Sequence, residues 1–269
     1  MKTVLITGAT SGIGEACARQ CLAQDDRVVA ICRNLDKARD KFGAEIEAGR
    51  VVPLHYDLSC NDQLYKFCLA ELKPYSIDRF IHCAGFLLLQ KVTSTGHEAM
   101  LNMFETHVFS LTEIVRALLR LRKPEQELSM VALSSMSSPG LYCTAGAYSM
   151  AKASIDYYVR LINKQLNTPS RKYLPLTEDQ LAALETLEDE EQKELAREKA
   201  QAQAGLIVRI NSLAPGMIDT RMTCFSFFQS QGLMPPLIPM TVVVQEIFKL
   251  LENKYVSGKS VILDNGITA

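Results

Sequence analysis

A tyrosine and a lysine one helical turn apart, Tyr148-Ser-Met-Ala-Lys152, are the residues of this chain best suited to moving a proton. On a helix, positions i and i+4 share a face, so the ammonium stands beside the phenol and favours its ionised form by direct charge attraction. A phenol that ordinarily titrates at about 10 needs such help to exchange a proton near neutrality. The pair therefore suits the interconversion of a carbonyl and an alcohol, in which a proton is handed to a developing alkoxide or taken back. Spacing alone does not select it, because Tyr255-Val-Ser-Gly-Lys259 has the same pattern. Context does. Tyr255 runs into a glycine loop and the last strand, whereas Tyr148 opens a long helix after Ser134-Ser135-Met136-Ser137-Ser138, a strand end from which a serine can bond a substrate oxygen.

A second constellation lies at the chain start. Thr7-Gly8-Ala9-Thr10-Ser11-Gly12-Ile13-Gly14 follows an apolar strand and opens into a helix. Glycines admit a close backbone approach, and the helix N-terminus offers free amides and a positive dipole end, so Gly8, Ser11, Gly12, Ile13 and Gly14 suit a pyrophosphate. The second strand ends in Ile31-Cys32-Arg33-Asn34, without the acidic side chain that would bind the free ribose hydroxyls of NAD. A guanidinium at Arg33 pairs with a phosphate, aided by the Ser11 hydroxyl, which favours NADP(H). Asp57-Leu58 ends the third strand, where a carboxylate would accept the adenine amino group. Cys83-Ala84-Gly85 ends the fourth, where small residues let a ribose approach.

These residues need elements to position them. Apolar runs at Thr3 to Thr7, Val28 to Cys32, Val51 to Tyr56, Phe80 to Cys83, Met130 to Leu133, Leu206 to Leu213 and Val261 to Leu263 read as strands. Most are unbroken, as expected of a parallel sheet covered on both faces. Helical periodicity at Ile13 to Gln24, Leu64 to Leu72, Met100 to Leu121, Ala147 to Leu166 and Val242 to Leu251 supplies the covers. The fold class is α/β: a three-layer, Rossmann-type doubly wound parallel sheet in a single domain over residues 1–269. Its ligands are expected outside the carboxyl ends of the strands. Thr168-Pro169-Ser170 breaks the pattern and opens an acidic helical insertion over about 168–204, where Thr177-x-x-Gln180 offers a capping box. Leu181, Leu184, Leu187 and Leu195 give it a thin apolar stripe, so it reads as a surface or subunit-contact element rather than a lid.

With 269 residues, 48% of them hydrophobic, the chain can bury a substantial core, and its net charge of -1 gives no global attraction to nucleic acid or to an anionic membrane. No apolar run approaches a bilayer span, and the start is too short for a secretory signal. Eight cysteines then read as reduced thiols in a cytoplasmic protein. Cys17 and Cys21 are one turn apart but lack partner histidines, so small buried residues are expected there and no metal.

Taken in order, Thr7-Gly8-x-x-x-Gly12-x-Gly14, Cys83-Ala84-Gly85, Ser135, Tyr148-x-x-x-Lys152 and Pro215-Gly216-Met217-Ile218-Asp219-Thr220 resemble the classical short-chain dehydrogenases/reductases over nearly the whole chain apart from the insertion. Ser135 stands thirteen residues before Tyr148, the family's usual interval, which selects it over Ser134. The resemblance implies that Ser135 orients the substrate carbonyl, Tyr148 is the acid or base, and Lys152 also binds the nicotinamide ribose. It further implies that the segment after Pro215-Gly216 holds the carboxamide through Ile218 and Thr220. Two departures stand out. Cys83 replaces the family's asparagine. His107 occupies the place of another asparagine, one that holds a proton-relay water, so an imidazole, which can donate, accept and titrate near neutral pH, either replaces that relay, or couples it to solution pH, or is structural.

In this family the stretch over about 217–240 covers the substrate. Met217, Met222 and Phe225, with Tyr142 and Cys143 opposite, would form an apolar wall, unless the stretch packs a subunit contact or the core. The implied function is an NADPH-dependent carbonyl reductase or alcohol dehydrogenase acting on a mainly apolar small molecule, as a homodimer or homotetramer. The alternatives are an NAD-linked alcohol dehydrogenase and a non-catalytic NADP(H)-binding sensor.

Overall fold

Seven strands rich in β-branched and aliphatic residues pair side by side: β1 Thr3–Thr7, β2 Arg27–Cys32, β3 Val51–His55, β4 Arg79–His82, β5 Leu128–Leu133, β6 Val208–Pro215 and β7 Ser260–Leu263. In the computed structural model, which describes residues 1–139, 145–167, 177–187, 189, 192–194, 196, 206–218, 220 and 237–264, they form one sheet in the order β3-β2-β1-β4-β5-β6-β7. Every pairing is parallel. The order reverses between β1 and β4, which puts the crevice for a ligand at the carboxyl ends of those two strands. Pro53, which donates nothing to a ladder, lies opposite Ala30 in β3, the edge strand where it is tolerated.

Helices cover both faces: α1 Gly12–Ala23, α2 Leu35–Glu47, α3 Leu64–Glu71, α4 His97–Phe104, α5 Ser110–Leu121, α6 Gly146–Leu166, α7 Glu178–Glu185 and α8 Met240–Glu252. One core cluster joins α3, α5 and α6 to the sheet through residues such as Leu64, Ile114 and Ile155. The other joins α1 and α8 to the opposite face through Ala18, Val243 and Ile247. Leu and Ile side chains removed from water in this way contribute about 1.5–3 kcal/mol each, so the two clusters fix the layers.

The expected strands and their parallel arrangement are present, with ends shifted by up to two residues. Two features are additional. Sequence periodicity gave no helix between Cys32 and Val51, yet α2 occupies 35–47. Only Ala38 and Phe42 of α2 are buried, and its start is fixed by the Asn34 side chain accepting the Lys37 N–H at 2.8 Å. The single helix expected over Met100 to Leu121 begins earlier, at His97, and widens over Glu105–Phe109, where the Ser110 N–H bonds the Glu105 carbonyl five residues back. One-turn widenings of this kind concentrate at functional sites, and His107 is inside this one. In the insertion, α7 follows Thr177 as the capping box implies, while most of 168–204 lies outside the described residues.

Candidate active site

β1 delivers the chain into the glycine turn. Gly8 and Gly12 have positive φ, and a Cβ at Gly14 would stand 2.3 Å from the Gly8 carbonyl oxygen, so helix α1 approaches the turn as no side chain would allow. Ser11 begins α1 without capping it, which leaves its hydroxyl and the first-turn amides without intrahelical partners. Thr220 closes the far side, its methyl 3.9 Å from where a Gly12 Cβ would lie. A backbone cradle that a methyl group would fill, open to helix amides, fits a dinucleotide pyrophosphate. Gly14→Ala is accordingly expected to lower cofactor affinity by about tenfold or more and to cost about 1–3 kcal/mol of stability. Calorimetric titration with NADPH, alongside thermal unfolding, checks both; unchanged affinity would mean that the turn is not the phosphate site.

Arg33 and Asp57 meet at the ends of β2 and β3. Arg33 is exposed and, among the described residues, in no ion pair. Asp57 accepts the backbone N–H and the hydroxyl of Ser59 on Oδ1 at 3.0 and 2.8 Å. Those bonds, with the Arg33 charge nearby, hold its carboxyl below the usual range. Leu58 is buried beneath it.

At the switch point, the Thr7 hydroxyl accepts the Ala84 N–H at 3.2 Å and lies 2.9 Å from His82 Nδ1. Cys83, Ala84 and Gly85 are half-buried and turn the chain outward. A Cβ at Gly85 would stand 2.3 Å from the His107 ring, so a glycine there is what makes room for that imidazole.

His107 is fully buried. Its Nε2 lies 3.0 Å from both the N–H and the carbonyl of Phe86, and its ring meets Tyr148 edge-on at 5.6 Å. Burial, with the Lys152 charge and His82 adding to it, pushes its pKa well below the ordinary histidine value. The expectation of a ring that titrates near neutral pH is therefore corrected: His107 stays neutral because it is desolvated beside a cation.

Tyr148 and Lys152 project from α6 towards the end of β5, as expected. The Lys152 ammonium donates to the Leu133 carbonyl at 2.5 Å and sits 5.5 Å from the centre of the Tyr148 ring. Burial raises the Tyr148 phenol above its ordinary pKa, with the Ser135 hydroxyl opposing. This overturns the expectation of an acidified phenol. The ammonium is committed to a backbone carbonyl, and desolvation of the phenolate outweighs the help the phenol receives. Lys152 itself is lowered to about 8, mainly by burial, with Cys83 and Asp156 opposing.

After β6, Pro215-Gly216 leads to Met217 and Ile218. The Gly216 N–H bonds the Leu263 carbonyl at 2.8 Å and the Ile238 N–H bonds the Met217 carbonyl at 2.8 Å, which fixes this segment beside the crevice. Tyr142, Cys143, Met222 and Phe225 lie outside the described residues. Sequence reasoning passed over three participants. His82 hides inside an apolar strand. Asp156 lies one further turn along the Tyr148–Lys152 face. Phe86 to Leu89, which follow Gly85, are half-buried, with Phe86 and Leu88 packed against the core and Phe86 5.6 Å from His107.

A parallel sheet with a glycine cradle at its switch point, a serine just after β5 and a tyrosine and lysine on the helix α6 that packs there is the arrangement of a Rossmann-type oxidoreductase. The sequence model for short chain dehydrogenase matches residues 2–170, and the chain belongs to that family of nicotinamide-dependent oxidoreductases. Retinol dehydrogenase 8 of Bos taurus is 29% identical over 170 residues, 61% of this chain and 54% of the relative. The match thus spans about half the length of that relative. A 3-oxoacyl-[acyl-carrier-protein] reductase of Bos taurus is 25% identical over 99% of this chain and 98% of its own. Among solved structures, ElxO with NADP bound has a TM-score of 0.73 at 19% identity over 98% of both chains. A 4-hydroxyisoleucine dehydrogenase complexed with NADH has 0.75 at 18%, over 100% of this chain and 99% of its own. These likenesses share the fold and differ in nucleotide.

Proposed function

We propose that the chain interconverts a mainly apolar ketone or aldehyde and its alcohol with NADP(H). The observation that carries this reading is the meeting of the Tyr148 phenol, the Ser135 hydroxyl and the Lys152 ammonium beside the glycine cradle. When bound, the nicotinamide cofactor supplies the hydride for reduction and takes it up in oxidation. Gly8, Ser11, Gly12, Ile13 and Gly14 would hold its phosphates, Asp57 and Leu58 its adenine, and Cys83, Ala84, Gly85 and Lys152 its riboses. Pro215, Gly216, Ile218 and Thr220 would hold its carboxamide.

Ser135 orients the substrate oxygen, and Tyr148, kept protonated by burial, gives it a proton. Lys152 stabilises the negative charge left on the phenol oxygen. His107 serves as a neutral hydrogen-bonding ring in the path that resupplies the proton. The half-buried Phe86 to Leu89 run, together with relatives named for retinol and 3-oxoacyl groups, supports an apolar substrate, for which Met217, half-buried after β6, is a further apolar contact.

An exposed stripe of Met150, Tyr157 and Leu161 along α6 supports a homodimer or homotetramer. The free cysteines among the described residues, and the lack there of any helix long and apolar enough to cross a membrane, support a cytoplasmic setting.

A panel of ketones and aldehydes, followed by loss of NADPH absorbance, tests the activity. Arg33 tests the nucleotide, because only a phosphate needs a cation at that strand end. Arg33→Asp is expected to weaken NADP binding by about tenfold to a hundredfold, the worth of a charge-assisted pair, and to leave or improve NAD binding. Tighter binding of NAD than NADP by the unaltered protein would make Asp57, not Arg33, the governing charge.

A further inference from the structure

Asp156 sits one turn beyond Lys152 on the inner face of α6 and is only 8% exposed. A carboxylate so placed is costly unless its oxygens are satisfied. Ser134 and Ser138 donate to Oδ2 at 2.8 and 2.5 Å, and Ser212 donates to Oδ1 at 2.5 Å. The Ser212 oxygen lies a further 2.9 Å from the Ser260 hydroxyl. The hydroxyls that bond it come from the loop after β5 and from β6, with β7 reached through Ser212, so one carboxylate ties α6 to two adjacent strands. Two of its donors flank Ser135 in the chain, and Ser134 Oγ also lies 3.2 Å from the Lys152 carbonyl.

Lys152 needs such a neighbour. Its side chain is buried, and the acceptor it reaches, the Leu133 carbonyl, carries only a partial charge. The titratable groups that face it are His82 and Cys83 from the end of β4, His107 from the widened turn, and Tyr148 and Asp156 from α6 itself. Both histidines are held neutral by burial, the phenol is protonated, and a thiol contributes charge only when ionised. Asp156 is the carboxylate of the set.

We propose that Asp156 is a positioning residue of the site: its carboxylate is the fixed counter-charge that keeps Lys152 an ammonium, and its serine bonds hold the Ser135 loop against α6. The assignment rests on the carbonyl chemistry proposed above only for its kinetic consequence; the charge relation belongs to the ligand-free protein.

The full chain labelled with 13Cε-lysine and titrated by NMR without ligand reads it directly, the Lys152 signal being the one lost in Lys152→Met. Asp156→Asn, which keeps an acceptor oxygen but not the charge, is expected to lower the Lys152 midpoint by about one pH unit. The alkaline limb of kcat for reduction should move down with it. Asp156→Ser, neutral and hydroxyl-bearing, carries the same expectation should the asparagine variant not fold. Ser138→Ala keeps the charge and removes one donor, so the midpoint should hold. An unmoved midpoint in the neutral variants, or an equal shift in Ser138→Ala, overturns the proposal. A midpoint that moves in a protein that reduces no carbonyl would sink the carbonyl reading and leave the counter-charge standing.

Discussion

Tyr148→Phe is expected to lower carbonyl turnover by about 10²- to 10⁴-fold, the usual contribution of a positioned general acid. The substitution removes one oxygen and little else. The ring keeps its edge-on contact with His107, and Ser135 and Lys152 keep their places in the loop after β5 and on α6. NADPH affinity should therefore stay within about twofold, since the glycine cradle is untouched. The raised pKa of the phenol adds a direction. Above its ordinary value a phenol is protonated at neutral pH, so reduction starts from the form already present. Oxidation needs the ionised form and should climb as pH rises on the alkaline side. Near-normal turnover in Tyr148→Phe, with the oxidation rate flat in pH, would show that the proton comes from elsewhere.

What the amino-acid sequence reveals of this fold follows from what each element buries. Strands covered on both faces are unbroken apolar runs, and their order follows once crossovers are right-handed and ligands sit at a switch point. Helix α2 escaped because it buries just Ala38 and Phe42, too few to give a period. Its legible mark was the Asn34 cap followed by Asp36 in the first turn. The widened turn at Glu105–Phe109 is harder still, because one extra residue in one turn barely disturbs the apolar repeat on either side.

The site divides along the same line. Tyr148, Lys152 and Ser135 are local in spacing and were legible. The partners of Asp156 come from residues 134, 138 and 212, which only the packing of α6 on the paired β5 and β6 brings together, and that of His82 comes from β1 through the β1–β4 register, Thr7 opposite His82. The charge logic of Tyr148 failed for a related reason. Spacing placed the ammonium near the phenol, but desolvation decides the direction of the shift, and burial is a property of the whole packed molecule.

That same burial makes the protein sensitive to acid through two histidines. His82 is pushed down to about 3 by desolvation and the Lys152 charge, and His107 is lowered well below its ordinary value for the same reasons. An unfolded histidine titrates at about 6.5, so as pH falls below that value the unfolded chain takes up protons that the folded chain refuses. Each histidine's stabilisation is thus full above about pH 6.5 and is lost as pH falls, at about 1.4 kcal/mol per pH unit. His82 alone should remove about 3 kcal/mol by pH 4.5, a large share of the 5–15 kcal/mol that holds a typical domain together, and His107 adds to the loss in the same direction. Asp57, whose pKa is lowered, loses its contribution only further down, below about pH 4, so the window from pH 7 to 5 isolates the imidazoles. Urea unfolding across that window should show the steep loss. His82→Asn, which cannot be protonated, should flatten it by about 2 kcal/mol between pH 7 and 5, and His107→Asn should flatten it in the same direction, whatever they cost at neutral pH. A loss equally steep in both variants would mean that the imidazoles already accept protons in the folded state, and the neutral His107 assigned to the proton path would have to be given up with it.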